Sequence, residues 1–175
     1  MDVSSFGFPA MRDDRLSDLI PQETFHRYGR PVSSRTLYIF RTSRFEDRGE
    51  GGTLGFYVYD YRLEALWNRR ESYRDLFLAQ RWGALISPDF SLWADAPMAE
   101  QIWNVYRART LTREWQDAGI SCAPNLSWST PASFEFCFEG IPFGCPVALA
   151  ITYLTFHGIS GILETWKRRT LSETR

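Results

Sequence analysis

The chain has 175 residues, of which 44% are hydrophobic and 23% charged, and its formal net charge is −1. At that length roughly 70% of the unfolded surface can be buried, enough for one ordinary domain and too little for two. The near-neutral balance supplies no global cationic field to draw in nucleic acid. No apolar run reaches the roughly 18 residues of a membrane span, and the N-terminus lacks a signal-peptide core.

Residues 1–50 hold Pro9, Pro21 and Pro31 and many charges, with one short strand candidate at Thr36–Phe40. They read as an appended N-terminal arm that packs on a body formed by residues 51–175. Gly49, Gly51, Gly52 and Gly55 mark a turn between the two. Leu54–Tyr59 is an apolar, aromatic run that predicts a buried strand closed by Asp60. Tyr61–Gln80 predicts a helix with a break near Asn68, and Ala84–Ile86 a second strand after Gly83. The following helix is predicted to be capped by Asp95, to carry Pro97 at its start and to stop at Gly119. Its apolar stripe is Met98, Ile102, Val105, Tyr106 and Trp115. Ile120–Ala123 predicts a third strand, Pro131–Phe138 a short helix, and Pro146–Tyr153 a fourth strand before a helix through Arg169.

Strand and helix alternate at a spacing that predicts an α/β fold of parallel strand–helix units, as an open sheet or a partial barrel. The strands are apolar throughout, as parallel strands covered on both faces are. Aromatic residues make up 16% of the chain, which implies a thick core or an exposed aromatic binding surface. Lys167 is the one lysine among twenty basic residues. That bias suits bidentate pairing and stacking, but a GC-rich genome, which favours Arg codons whatever the chemistry, is the preferred reading. Cys122, Cys137 and Cys145 form no C-x-x-C pair and read as reduced thiols of a cytoplasmic protein.

Ligands of parallel α/β folds bind at the carboxyl ends of the strands. Four such ends are expected, carrying Asp60 and Tyr61, then Ser87, Asp89 and Ser91, then Asn125, Ser127 and Trp128, and finally Thr152, with Glu139 near the same rim. Asp60 and Asp89 occupy equivalent places in successive units. As a pair they can hold Mg²⁺ or divide acid and base roles, with Glu139 as a third catalytic carboxylate. Taken singly, each reads first as a cap, Asp60 of the helix it precedes and Asp89 of a turn. Gln101, Asn104, Arg107 and Arg113 form a polar helix face. Arg107 and Arg109 can reach an anionic group, against the blander reading of a solvated face. His26 and His157 have no ligand-like neighbours, and no nucleophile elbow, zinc-protease or phosphate-loop motif is present.

Tyr59–Arg62 with Leu63–Trp67 forms one signature, and Ser87–Ser91 with Asp95, Pro97, Gln101, Asn104, Tyr106 and Arg107 a second. With Trp115-Gln116, Gly119-Ile120, Pro124, Trp128 and Phe134–Gly140, they resemble the phage and mobile-element family known as domain of unknown function 4417. The resemblance covers roughly residues 55 to 150. It implies a phage, prophage or plasmid origin and a bacterial cytoplasm, and it implies no activity. The family's pattern continues past the fourth strand with a helix and a further strand. This chain instead runs into Phe156–Gly161, and it carries Glu at 135 or 139 where the family often has Asp. A sheet edge is then expected to be covered by the N-terminal arm, a second copy or a partner protein.

The leading functional expectation is a small-ligand or nucleotide-binding α/β domain, extending to a Mg²⁺-dependent phosphate-ester enzyme. Asp60 and Asp89 would hold the metal, Asn125 and Ser127 would orient the substrate, and Trp128 would stack on it. Tyr61, Ser87, Ser91 and Arg107 complete the expected binding set. Two alternatives stand beside it: a nucleic-acid-binding replication or maintenance accessory, and a non-enzymatic protein that acts on a host factor.

Overall fold

The computed structural model describes residues 3–16, 37–40 and 52–149. Within them, four short strands, β1 (Leu37–Ile39), β2 (Thr53–Gly55), β3 (Ala84–Ile86) and β4 (Cys122–Ala123), form one parallel sheet in the order β1-β2-β3-β4. Helices α1 (Asp60–Asn68) and α2 (Arg70–Ala79) connect β2 to β3, and α3 (Met98–Asp117) connects β3 to β4. This is the expected α/β architecture, realised among the described residues as an open sheet. The strand expected within the N-terminal arm is the edge strand of the sheet itself, in register Leu37↔Thr53. Three residues with no flanking helix signal do not reveal such a pairing.

The boundaries follow from local chemistry. Arg69 leaves the helical region (φ −125°, ψ 33°) and splits the expected helix into α1 and α2, one residue beyond Asn68. Gly119 takes φ +96°, a left-handed conformation that costs glycine little. There its N–H donates to the Gln116 carbonyl at 3.0 Å and Ile120 N–H to that of Trp115 at 3.0 Å, closing α3 in a Schellman motif. Asp95 does not cap α3. The N-cap is Pro97, with no side-chain bond to the first turn, and its carbonyl accepts from Glu100 N–H at 3.0 Å. The expected short helix appears as a 3-10 turn at Pro131–Glu135.

The core lies between the sheet and the helices. Leu54, Leu63, Leu66, Leu85 and Leu111 are fully buried, and the rings of Phe40, Phe56, Phe77 and Trp115 stack or meet edge to face there. Aromatic pairs in such geometry add about 0.5–1.5 kcal/mol each beyond burial. Cys122 and Cys137 are buried and unbridged, and Cys145 is partly exposed.

The outer edge of β4 is covered from within the chain. Leu16 bridges Cys122, and Ala148 bridges Asn125, both in parallel orientation. Ala148 therefore sits where the fourth strand was expected. The remainder of that strand with Thr152, the C-terminal helix, His26 and His157 lie outside the described residues. The N-terminal segment packs along α3. Gln116 accepts from Arg12 N–H at 2.7 Å and donates to the carbonyls of Arg12 and Arg15, and Met11 N–H donates to the Gly140 carbonyl.

Candidate functional site

The carboxyl ends of β2, β3 and β4 are laced together by side chains. Asn125 lies just past β4 and is 3% exposed, too buried to leave its amide unsatisfied. Its Nδ2 donates to Asp89 Oδ1 at 2.8 Å and to Ser127 Oγ at 2.9 Å, and its Oδ1 accepts from the Tyr57 hydroxyl at 3.3 Å. Ser127 Oγ donates to the same Asp89 oxygen. Closer to α1, Asp60 Oδ1 accepts from Ser91 N–H at 3.2 Å and Ser91 Oγ at 3.1 Å, and the Ser91 carbonyl accepts from Asn104 Nδ2 at 2.8 Å. Neither aspartate caps its own helix or turn. Each bridges to the next strand end.

Burial pushes the Asp89 carboxyl above the usual carboxylate range. The bonds from Ser127 and Asn125 pull it back, and the neighbouring charge of Asp60 raises it further. Burial also raises the Tyr57 phenol, with Asp89 adding to the effect. An acid whose folded pKa lies above its unfolded value contributes stability that is fully present below that unfolded value, near 3.8, and is lost as pH rises through the folded pKa. Asp89→Asn keeps an acceptor toward Asn125 and Ser127 and removes the titration. The urea midpoint of the wild type is therefore expected to fall relative to that of the variant as pH rises from about 4 toward neutrality. Parallel pH profiles for the two proteins would contradict the assigned shift.

A small cleft of about 230 Å³, including its open mouth, opens beside this network. Phe90 and Leu92 of the β3–α3 connection, Asn104, Ala108 and Arg109 of α3, and Asn125 and Ser127 line it. Most of that volume is open mouth, and the part enclosed by the walls has room for about one water-sized group.

The polar face of α3 is not solvated. Gln101, Asn104, Arg107, Arg109, Thr112 and Gln116 are all buried, whereas Met98 and Trp103 are exposed. The helix turns these groups toward the strand ends and the N-terminal segment, where fixed partners satisfy them. Arg107 pairs with Glu64 and donates to Asn104 Oδ1, with its guanidinium 4.1 Å from the Phe90 ring centre. Arg109 is 2% exposed and, among the described residues, donates to main-chain carbonyls, those of Glu139 at 2.9 Å, Cys137 at 2.8 Å and Asn125 at 3.3 Å. Burial lowers its pKa to about 10, still charged at neutral pH.

Ser87 is fully buried, and its hydroxyl pairs with Thr112 Oγ1 at 2.7 Å beneath α3. Trp128 packs with Leu126, Cys137 and Phe138 in a second apolar cluster. The Glu139 carboxylate accepts from Ser5 Oγ at 3.5 Å. Tyr61 is 66% exposed and stacks on Tyr59, 6.1 Å away, at the outer end of the same rim. Asp89, Asn125 and Ser127 are thus brought into one network, with Asp60 and Ser91 beside it. Tyr57 joins them unannounced by the sequence, since a tyrosine in an apolar run reads as a core ring. Among the described residues no three of His, Cys, Asp and Glu converge as a metal site. A cation held by Asp60 and Asp89 would need its other ligands from water or substrate, as Mg²⁺ accepts.

Among the described residues no helix is long and apolar enough to cross a membrane. No solved structure matches the chain. It is 47% identical over 100 residues to the Gene 1 protein of Mycobacterium phage L5, covering 57% of this chain and 43% of that protein. Against the Gene 1 protein of Mycobacterium phage D29 it is 48% identical over 100 residues, covering 57% of this chain and 36% of the relative. The matched region thus spans less than half the length of either phage protein. Residues 20–167 match the family described as Domain of unknown function (DUF4417), and the chain belongs to that family.

Proposed function

We propose that this chain is a small-ligand-binding α/β domain that holds a nucleoside or nucleotide at the carboxyl edge of its sheet. The observation that supports this most is Asp89. One of its oxygens is committed to Asn125 and Ser127, and the other accepts no hydrogen bond from the described residues. A carboxylate of raised pKa, placed at a strand end beside a cleft, fits a group that accepts from a ligand amine or hydroxyl, or exchanges a proton with it. If phosphate-ester chemistry follows binding, the oxygens of Asp60 and Asp89 that accept no hydrogen bond among the described residues are the groups to hold Mg²⁺. Trp128 is left out of this reading, because its ring is packed against Leu126 and Phe138. The reduced cysteines fit the cytoplasm of a bacterial host.

Calorimetry with nucleosides and nucleotides, with and without Mg²⁺, tests the proposal. Asp89→Asn is expected to weaken binding roughly tenfold or more, the scale of a lost hydrogen bond to a charged group. Unchanged affinity in that variant would sink it.

A second reading rests on a separate observation. Tyr59 and Tyr61 are exposed and nearly parallel (15°), and the Arg62 guanidinium lies 5.6 Å from the Tyr61 ring centre. Paired rings with a cation suit the stacking of unpaired bases. The nucleic-acid accessory reading therefore predicts single-stranded DNA binding that weakens steeply with salt and is lost in a Tyr59→Ala, Tyr61→Ala double variant. Absence of a mobility shift at low salt would dismiss it.

A further inference from the structure

We propose that the cleft between the β3–α3 connection and α3 is an oxyanion subsite, in which Arg109 pairs with a carboxylate or phosphoryl group of a small ligand. This rests on the carboxyl edge being a ligand site and adds the charge of the ligand.

Arg109 is a buried cation to which no carboxylate is paired among the described residues. Arg109 is fully enclosed, and a buried guanidinium is costly unless an anion pairs with it. Arg107 meets that condition through Glu64. Arg109 does not. Its three acceptors are neutral carbonyls, which satisfy hydrogen bonds and leave the charge uncompensated. A guanidinium has five N–H donors, so two remain without an acceptor among the described residues. The acidic group acting on Arg109 is Glu139. Its effect is the smallest of those that raise the pKa, and its carboxylate is engaged toward Ser5. Cys137 and Cys145 also act on Arg109, but a thiol carries no charge at neutral pH, and burial pushes Cys145 up to about 11.

The second observation is the cleft itself. Arg109 lines it, and the other polar lining groups are Asn104, Asn125 and Ser127, with no carboxylate among them. Asn104 is fixed by Arg107 and by the Ser91 carbonyl, and Asn125 by Tyr57 and Asp89, so the walls are preorganised. An oxyanion placed there finds a desolvated cation in a rigid frame, the setting in which charge-assisted hydrogen bonds are strongest. Asp89 stands just outside the lining and would repel an anion that reached it. The site therefore selects a ligand with an oxyanion toward Arg109 and a hydrogen-bond donor toward Asp89, as a nucleotide has.

The test is thermal unfolding of the full chain in sodium phosphate, sodium acetate and sodium chloride at equal ionic strength. At ten times the Kd a bound anion multiplies the folded-to-unfolded ratio about elevenfold, raising Tm by roughly 3–6 °C. A rise in phosphate alone identifies a phosphoryl site, and a rise in acetate alone a carboxylate site. Leu92→Trp, which places a larger ring in the cleft wall and leaves Arg109 in place, is expected to abolish the rise. That variant also controls for general stabilisation by excluded salts. Equal Tm values in all three salts at millimolar anion, or the same rise in Leu92→Trp, would overturn the subsite. Asp89→Asn separates the two proposals. An anion response that survives in it while nucleoside affinity is also unchanged leaves the subsite standing and removes the Asp89 reading. Nucleoside binding lost in Asp89→Asn, with no anion response in the wild type, does the reverse.

Discussion

Trp115→Ala is expected to destabilise the protein by about 3–5 kcal/mol, a large part of the roughly 5–15 kcal/mol that holds a domain folded. Trp115 is fully buried on the inner face of α3. It stacks on Phe56 at 5.1 Å and meets Phe77 edge-on at 5.6 Å, so its removal opens a cavity between the helix layer and the segment that follows β2. Tm should fall by roughly 10 °C or more. Trp115→Phe should behave differently. The indole N–H is buried and donates to no partner among the described residues, so phenylalanine discards a group that already costs stability. The net loss should stay below about 1.5 kcal/mol, since a smaller ring still fills most of the site. Denaturant unfolding of both variants provides the comparison. Equal losses would show that the indole N–H is satisfied after all.

Gly140→Ala is the second change with a large expected effect. Gly140 has φ +73°, where a side chain is strained, and a Cβ built there would lie 2.7 Å from the Pro9 carbonyl oxygen and 3.4 Å from Arg109 Cδ. The backbone of the N-terminal segment cannot retreat cheaply, because Met11 N–H donates to the Gly140 carbonyl itself. Strain and overpacking together should cost about 2–4 kcal/mol. Because the clash falls on Pro9, the expected signature also includes earlier proteolysis within residues 3–16. A variant as stable and as protease-resistant as the wild type would mean that the segment does not pack there.

Much of the fold was legible in the sequence because it is written in local chemistry. Ala84–Ile86 sits between Gly83 and Pro88, and the strand has those bounds. Gly119 ends α3 as a left-handed C′ residue must. What escaped is long-range. Aspartate and serine are both good caps and good bridges, so the sequence could not tell whether Asp60 served its own helix or Ser91, thirty-one residues on. The polar row of α3 looked like a solvated face because an isolated helix offers no other home for it. In the fold it covers the strand ends and the N-terminal segment, and Trp103 takes the outward position instead. Trp128 follows a strand end, where a ring suggests a stacking platform. Its burial depends on Cys137 and Phe138, which come from a turn with no periodic signal. The gathering of Asp89, Asn125 and Ser127 was foreseeable from fold rules alone, since all three follow strands of one parallel sheet.

Asn125 has a further consequence for how the sheet is assembled. The strands are two or three residues long, and ladders so short specify their alignment weakly. A slip of one residue would cost little in backbone pairing. Yet this one amide touches Tyr57 beyond β2, Asp89 beyond β3 and Ser127 beyond β4. Sliding any of those strands along its neighbour would break at least one of the three contacts and strand a buried polar group. The amide thus works as a pin through three plates. The alignment that a longer ladder would secure by repetition is set here at a single point, beside the cleft whose shape depends on it.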